Sequence, residues 1–113
     1  MCGQSVLSII TKEVAKAAKE SLGDKLNKVI LYGSYARGDH DIESDIDIMI
    51  LADIPHENCW KEYMKISELI GWLDLRYDIL ISIHVTDCAT FDQYVNVLPF
   101  YMNVLKEGIE YSA

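Results

Sequence analysis

Residues 29–51 read VILYGSYARGDHDIESDIDIMIL: an apolar strand, a Gly33-Ser34 turn, a polar loop, and a second strand opening on two aspartates one residue apart. Side chains alternate across a strand, so Asp45 and Asp47 project from one face, about 7 Å apart at their backbones. Two ionised carboxylates that close repel each other. A divalent cation resolves the conflict, and magnesium in particular holds one or two carboxylates together with substrate phosphates. Gly33 and Ser34 supply what such a substrate also needs: a backbone open to close approach, N–H groups and a hydroxyl. The bland alternative for the two aspartates is a solvated strand edge, and the Gly-Ser turn upstream weighs against it.

Outward from this stretch, apolar residues recur at near-helical spacing over Ser5 to Leu22, with Gly23 placed to end the helix. Lys28 to Tyr32 is almost wholly apolar, as in a strand covered on both faces. Ser34 to Gly38 starts a short helical turn with Ser34 near its N-cap, and 39–44 is loop-like. Asp45 to Leu51 sets Asp45, Asp47 and Met49 against Ile46, Ile48 and Ile50. After Pro55, Glu57 to Leu75 reads as a second helix, and Tyr77 to Thr86 as a strand with Ile79, Ile81, Ile83 and Val85 on its apolar face. Strand, helix, strand implies a right-handed crossover joining parallel strands. As sheet neighbours about 5 Å apart, those strands bring Asp78 beside Asp45 and Asp47, and three carboxylates converge. Phe91 to Leu98 and Phe100 to Glu107 look helical, the second started by Pro99 and stopped by Gly108, with a short edge strand over Ile109 to Tyr111.

Bulk properties narrow the function classes. A chain of 113 residues suits one domain, 1–113, with a single core. The formal charge of -8, from 18 acids against 10 Lys and Arg, leaves no basic run for a phosphate backbone, so long nucleic acid is a poor substrate. A small nucleotide arriving with its metal ions, or a basic protein partner, suits the acidic balance. Apolar runs are far too short to cross a bilayer and the N-terminus lacks a signal-peptide pattern, which points to the cytoplasm. Cys2, Cys59 and Cys88 lack metal-type spacing and read as reduced thiols without a role.

The spacing Gly33-Ser34, ten residues, Asp45-x-Asp47 resembles the signature of the nucleotidyltransferase superfamily that includes DNA polymerase beta. GSYARGD is similar to its G-S-x-A-R-G turn, SDIDIMI to its metal-binding strand, and RYDILI to the strand bearing its third acid. The resemblance covers nearly the whole chain, and the small size is similar to the minimal nucleotidyltransferases of prokaryotes. It implies an α/β nucleotidyltransferase fold, a small mixed sheet with helices mainly on one face and the first strand antiparallel to the second, which brings Gly33 next to Asp45. It implies that Asp45 and Asp47 bind two Mg2+ ions, with Asp78 completing the first site and helping to deprotonate the attacking hydroxyl. Ser34, the N–H groups after Gly33, and Arg37 would hold the terminal phosphates. ATP would be the AMP donor. What minimal members imply is a HEPN-type toxin as partner, AMPylated on a tyrosine by this chain as antitoxin.

Plainer roles stand beside these. Asp78 is also what a turn or cap residue looks like, and Arg37 what a surface residue looks like. His84 shares a face with Asp78 but lies about 20 Å along the strand from it, which suits a structural role. His40 and His56 read as loop residues, and Trp60 and Trp72 as core rather than a cofactor box, or as an interface where exposed. The acceptor could instead be a small-molecule hydroxyl, or the chain could mask its partner without catalysis.

Overall fold

Three strands and two long helices meet on the side chains of Ile46, Ile48 and Ile50, each 0% exposed. The computed structural model describes residues 4–38 and 45–111; the loop expected over 39–44, with His40, and Cys2 lie outside the described residues. In chain order the elements are α1 (Gln4–Leu22), β1 (Leu26–Tyr32), α2 (Ser34–Arg37), β2 (Ile46–Ala52), α3 (Cys59–Tyr77), β3 (Ile81–Asp87), α4 (Cys88–Tyr94), α5 (Pro99–Glu107) and β4 (Ile109–Tyr111). Short 3-10 turns at Gly23–Lys25 and His56–Asn58 precede β1 and α3.

The sheet runs β3-β2-β1-β4, with β1 antiparallel to β2 and β4, and β2 parallel to β3. This is the mixed α/β sheet expected, its parallel pair bridged by α3 as a crossover requires. One face carries Val29, Leu31, Ile46, Ile48, Ile50, Ile81 and Ile83 against α1 and α3, whose Ile10, Val14, Ile66, Ile70 and Leu73 fill the space above. Each such isoleucine or leucine contributes about 1.5–3 kcal/mol by leaving water. The other face holds a smaller cluster, where Ile30, Tyr32, Met49 and Leu51 meet Phe91 of α4 and Val104 of α5. The two long helices thus share one face and only short ones reach the other. The turn from α5 into β4 needs Gly108, since a Cβ there would collide with Ile30 and the Val104 carbonyl. Among the described residues no helix is long and apolar enough to cross a membrane.

Several boundaries differ from the sequence expectation. The second helix runs through Tyr77 rather than stopping at Leu75, and ends on Asp78 in the left-handed region, φ 51. Aspartate is one of the few residues that adopts this conformation singly. The following strand therefore starts at Ile81, not Tyr77. The helix expected from Phe91 starts at Cys88 because Asp87 caps it, accepting the Thr90 N–H at 2.9 Å. Trp60 and Trp72 are not core: they are 69% and 47% exposed. Ile66, Ile70 and Leu73 form the buried stripe of α3, and at 100° per residue both tryptophans point about 120° away from Ile66.

Candidate active site

The antiparallel register of β1 and β2 pairs Tyr32 with Asp47, so the chain leaves β1 at Gly33 directly over that aspartate. Gly33 takes φ 79, ψ -156, a conformation that side chains resist, and a Cβ there would lie 2.5 Å from Asp47 Oδ2. The resemblance implied Gly33 beside Asp45; the register puts it beside Asp47. In α2 the Arg37 N–H donates to the Gly33 carbonyl at 3.1 Å and the Gly38 N–H to the Ser34 carbonyl at 2.9 Å. The N–H groups of Ser34, Tyr35 and Ala36 come before this ladder, in the first turn of α2. Ser34 itself is half-buried and Arg37 exposed.

Asp45 stands just ahead of β2, half-buried like Asp47, and Ile46 between them donates its N–H to the Leu80 carbonyl at 3.0 Å. Burial pushes the Asp47 carboxyl above the ordinary carboxylate range, and the negative charge of Asp45 pushes it further; His84 and Arg37 act in the opposite sense. Two of the expected site residues are therefore electrostatic neighbours of a third. The Tyr32 phenol is also held well above its usual range, first by burial and then by Asp47, so it stays protonated.

The placement of Asp78 differs from the expectation. In the β2/β3 register Ser82, not Asp78, stands opposite Asp47, and His84 stands opposite Met49. Asp78 is exposed on the left-handed cap of α3, three residues ahead of β3, and is not among the charges acting on Asp47. The register places His84, read from the sequence as structural, at the site. Its ring lies 6.2 Å from Tyr32 and 6.0 Å from Phe100, and Phe100 meets Tyr32 edge-on at 5.6 Å. These three rings floor the region beside Asp47. Strand alternation had already set Ser82 and His84 on the right face; only the register, which alternation cannot supply, was missing.

Arg37 Nη1 lies 3.4 Å from Glu107 Oε2, linking α2 to α5. Next to this link is a cavity of about 150 Å³ lined by Tyr32, Gly33, Arg37, Phe100, Asn103 and Glu107. A wider groove of about 800 Å³ follows β3, which forms one edge of the sheet, from His56 and Trp60 to Ser82 and His84. The Asp45–Asp47 pair fits a divalent cation of the magnesium type. Both ligands are hard oxygens, and the charge that raises the Asp47 carboxyl is what a bound cation offsets.

Comparison with known proteins identifies the family to which this fold belongs. The family model for the nucleotidyltransferase domain matches residues 11–110. The Methanocaldococcus jannaschii protein "Putative protein adenylyltransferase MJ0141" is 49% identical over 73 residues, covering 65% of this chain and 72% of its own. A second protein of that description and organism, MJ0604, is 37% identical over 97 residues, covering 86% and 89%. Among solved structures, a toxin-antitoxin crystallised with AMP-PNP superposes with a TM-score of 0.52 at 21% identity, over 91% of this chain and 73% of that one. At that identity the superposition speaks to the shared fold.

Proposed function

This chain belongs to the nucleotidyltransferase domain family, and on that premise we propose that it transfers AMP from ATP to a protein hydroxyl, a tyrosine of a HEPN-type toxin for which it serves as antitoxin. The observation that carries the reading is the Asp47 carboxylate held against the Gly33 backbone with Asp45 as its charged neighbour. Relatives described as protein adenylyltransferases support the choice of AMP and of a protein acceptor. A toxin-antitoxin of the same fold, crystallised with an ATP analogue, supports the choice of partner.

In this proposal Asp45 and Asp47 hold two Mg2+ ions, and Asp78 reaches the cluster as third carboxylate from the turn before Leu80. Bound magnesium supplies neutralisation of the triphosphate and of the developing pyrophosphate charge, and activates the hydroxyl. Ser34, the N–H groups after Gly33 and Arg37 hold the terminal phosphates, with Gly33 letting them approach the backbone. The tyrosine oxygen forms a bond to the α-phosphorus while the bond from that phosphorus to the bridging oxygen breaks. Pyrophosphate leaves and the phenolic proton passes to the carboxylate cluster. Such a transfer is mainly positioning and charge stabilisation, which rigid strands and a tight turn are suited to provide. We place the reaction in the cytoplasm, where ATP and magnesium are at hand.

The test is to purify the chain with its co-expressed partner and add magnesium and ATP labelled in the α-phosphate. Label on a tyrosine of the partner, mapped by mass spectrometry and lost with D45N/D47N, is the expected result. An unlabelled partner, or label that survives the double variant, overturns it.

A further inference from the structure

His56, Cys59 and Asp87 come together at the opposite end of β3 from the aspartate pair. Asp87 closes β3 and is 3% exposed. One of its oxygens, Oδ2, caps α4 by accepting the Thr90 N–H, while Oδ1 faces His56 Nδ1 at 2.9 Å and the Cys59 thiol at 3.7 Å. The 3-10 turn at His56–Asn58 and the first residue of α3 present the other two side chains, and all three donor atoms lie within 4.8 Å of one another. Nothing in the AMP transfer uses this trio. Five residues of strand, about 17 Å, separate Asp87 from Ser82.

We propose that His56 Nδ1, Cys59 Sγ and Asp87 Oδ1 bind one zinc ion, with a fourth position left to solvent. Bond lengths to tetrahedral zinc put N and O ligand atoms about 3.3 Å apart, and S and O about 3.5 Å apart. The distances found, 2.9 and 3.7 Å, need adjustments of less than half an ångström. His56 can make its adjustment freely, since its side chain is 78% exposed. A nitrogen, a sulfur and one carboxylate oxygen form a borderline-soft donor set that suits zinc and not magnesium, so the ion differs in kind from those at Asp45 and Asp47. Charge balances too. Binding removes the Cys59 thiol proton to solvent and leaves His56 neutral with its proton on Nε2, so thiolate and carboxylate together offset the two positive charges. There is no change of oxidation state. Glu57 adds a further negative charge near Cys59. Sequence spacing gave no hint of the trio, because Asp87 joins His56 and Cys59 only through the β2-α3-β3 crossover. The ion would fasten the entry of α3 to the junction of β3 and α4. The competing account is a hydrogen-bonded triad that serves only to orient the Asp87 cap.

The test uses the full chain, stripped with chelator and titrated with zinc against a chromophoric competitor, then with cobalt as a spectroscopic substitute. Expected are one zinc per chain, one proton released on binding, and a thiolate-to-cobalt charge-transfer absorption. C59S should abolish that absorption. H56A, an exposed position whose loss spares the core, should weaken zinc at least about tenfold. D45N/D47N should leave zinc affinity within about twofold, since neither residue is a ligand. Absence of stoichiometric uptake, uptake unchanged by both H56A and C59S, or uptake lost in D45N/D47N alone overturns the proposal.

Discussion

Asp47 Oδ2 occupies the space that a side chain at Gly33 would need, 2.5 Å from the ideal Cβ position. The turn and β2 are therefore one unit, and the glycine is required twice, by its φ of 79 and by the carboxylate beneath it. G33A should cost about 1–3 kcal/mol of stability through the strained backbone. It should lower adenylyl transfer at least about 100-fold, because the carboxylate must move to make room. Urea unfolding and a labelled-ATP assay check the two arms separately. A folded G33A protein with near-normal activity would show that the close approach has no role in catalysis.

The Asp45–Asp47 pair sets up the second prediction. In the metal-free protein the two charges oppose each other, so D47N should unfold at higher denaturant than the wild type. Magnesium should reverse the order by stabilising the wild type alone, by about 1.4 kcal/mol at ten times its dissociation constant. D45N/D47N should show no magnesium-dependent shift and lose at least about 100-fold in transfer. Thermal melts with and without magnesium decide the matter; an equal shift in both proteins would place the ion elsewhere.

D78N tests the third carboxylate of the proposed site. Asp78 sits on an exposed helix cap rather than on the strand, so under the proposed reaction its removal should cost about tenfold in transfer, an order of magnitude less than loss of the pair. An unchanged rate would instead leave the third position to Ser82, its neighbour across from Asp47, or to water.

The same residue shows how far the sequence could be read. Gly33, Asp45 and Asp47 lie on either side of one short connection, and alternation fixes their faces without knowledge of the rest of the fold. The β2/β3 relationship depends on where α3 ends. Tyr77 and Asp78 look like the opening of a strand, since tyrosine and the isoleucines after it favour one, but tertiary packing of Leu73 and Ile70 carries the helix through Tyr77 to a cap at Asp78. Starting the strand at Ile81 sets Ser82 rather than Asp78 opposite Asp47 and brings His84 near it. The exposure of Trp60 and Trp72 is illegible in the sequence for a different reason: α3 has more apolar residues than its buried stripe can hold, and composition does not say which ones face out.

Asp74, near the end of α3, gives a prediction in pH. Burial raises its carboxyl above the ordinary 3.8, opposed by a hydrogen bond from the Ile81 backbone. Since the native state disfavours the charged form, the contribution of Asp74 to stability is fully present below about 3.8, the unfolded value, and is lost as pH rises through the higher native value. D74N keeps an oxygen for the Ile81 N–H and carries no charge to bury. Its urea midpoint should therefore exceed that of the wild type at pH 7, and the gap should close as pH falls toward 3.5, about where wild-type Asp74 is protonated in both states. Equal gaps at both pH values would mean that the amide changes packing at the α3–β3 junction rather than relieving a buried charge.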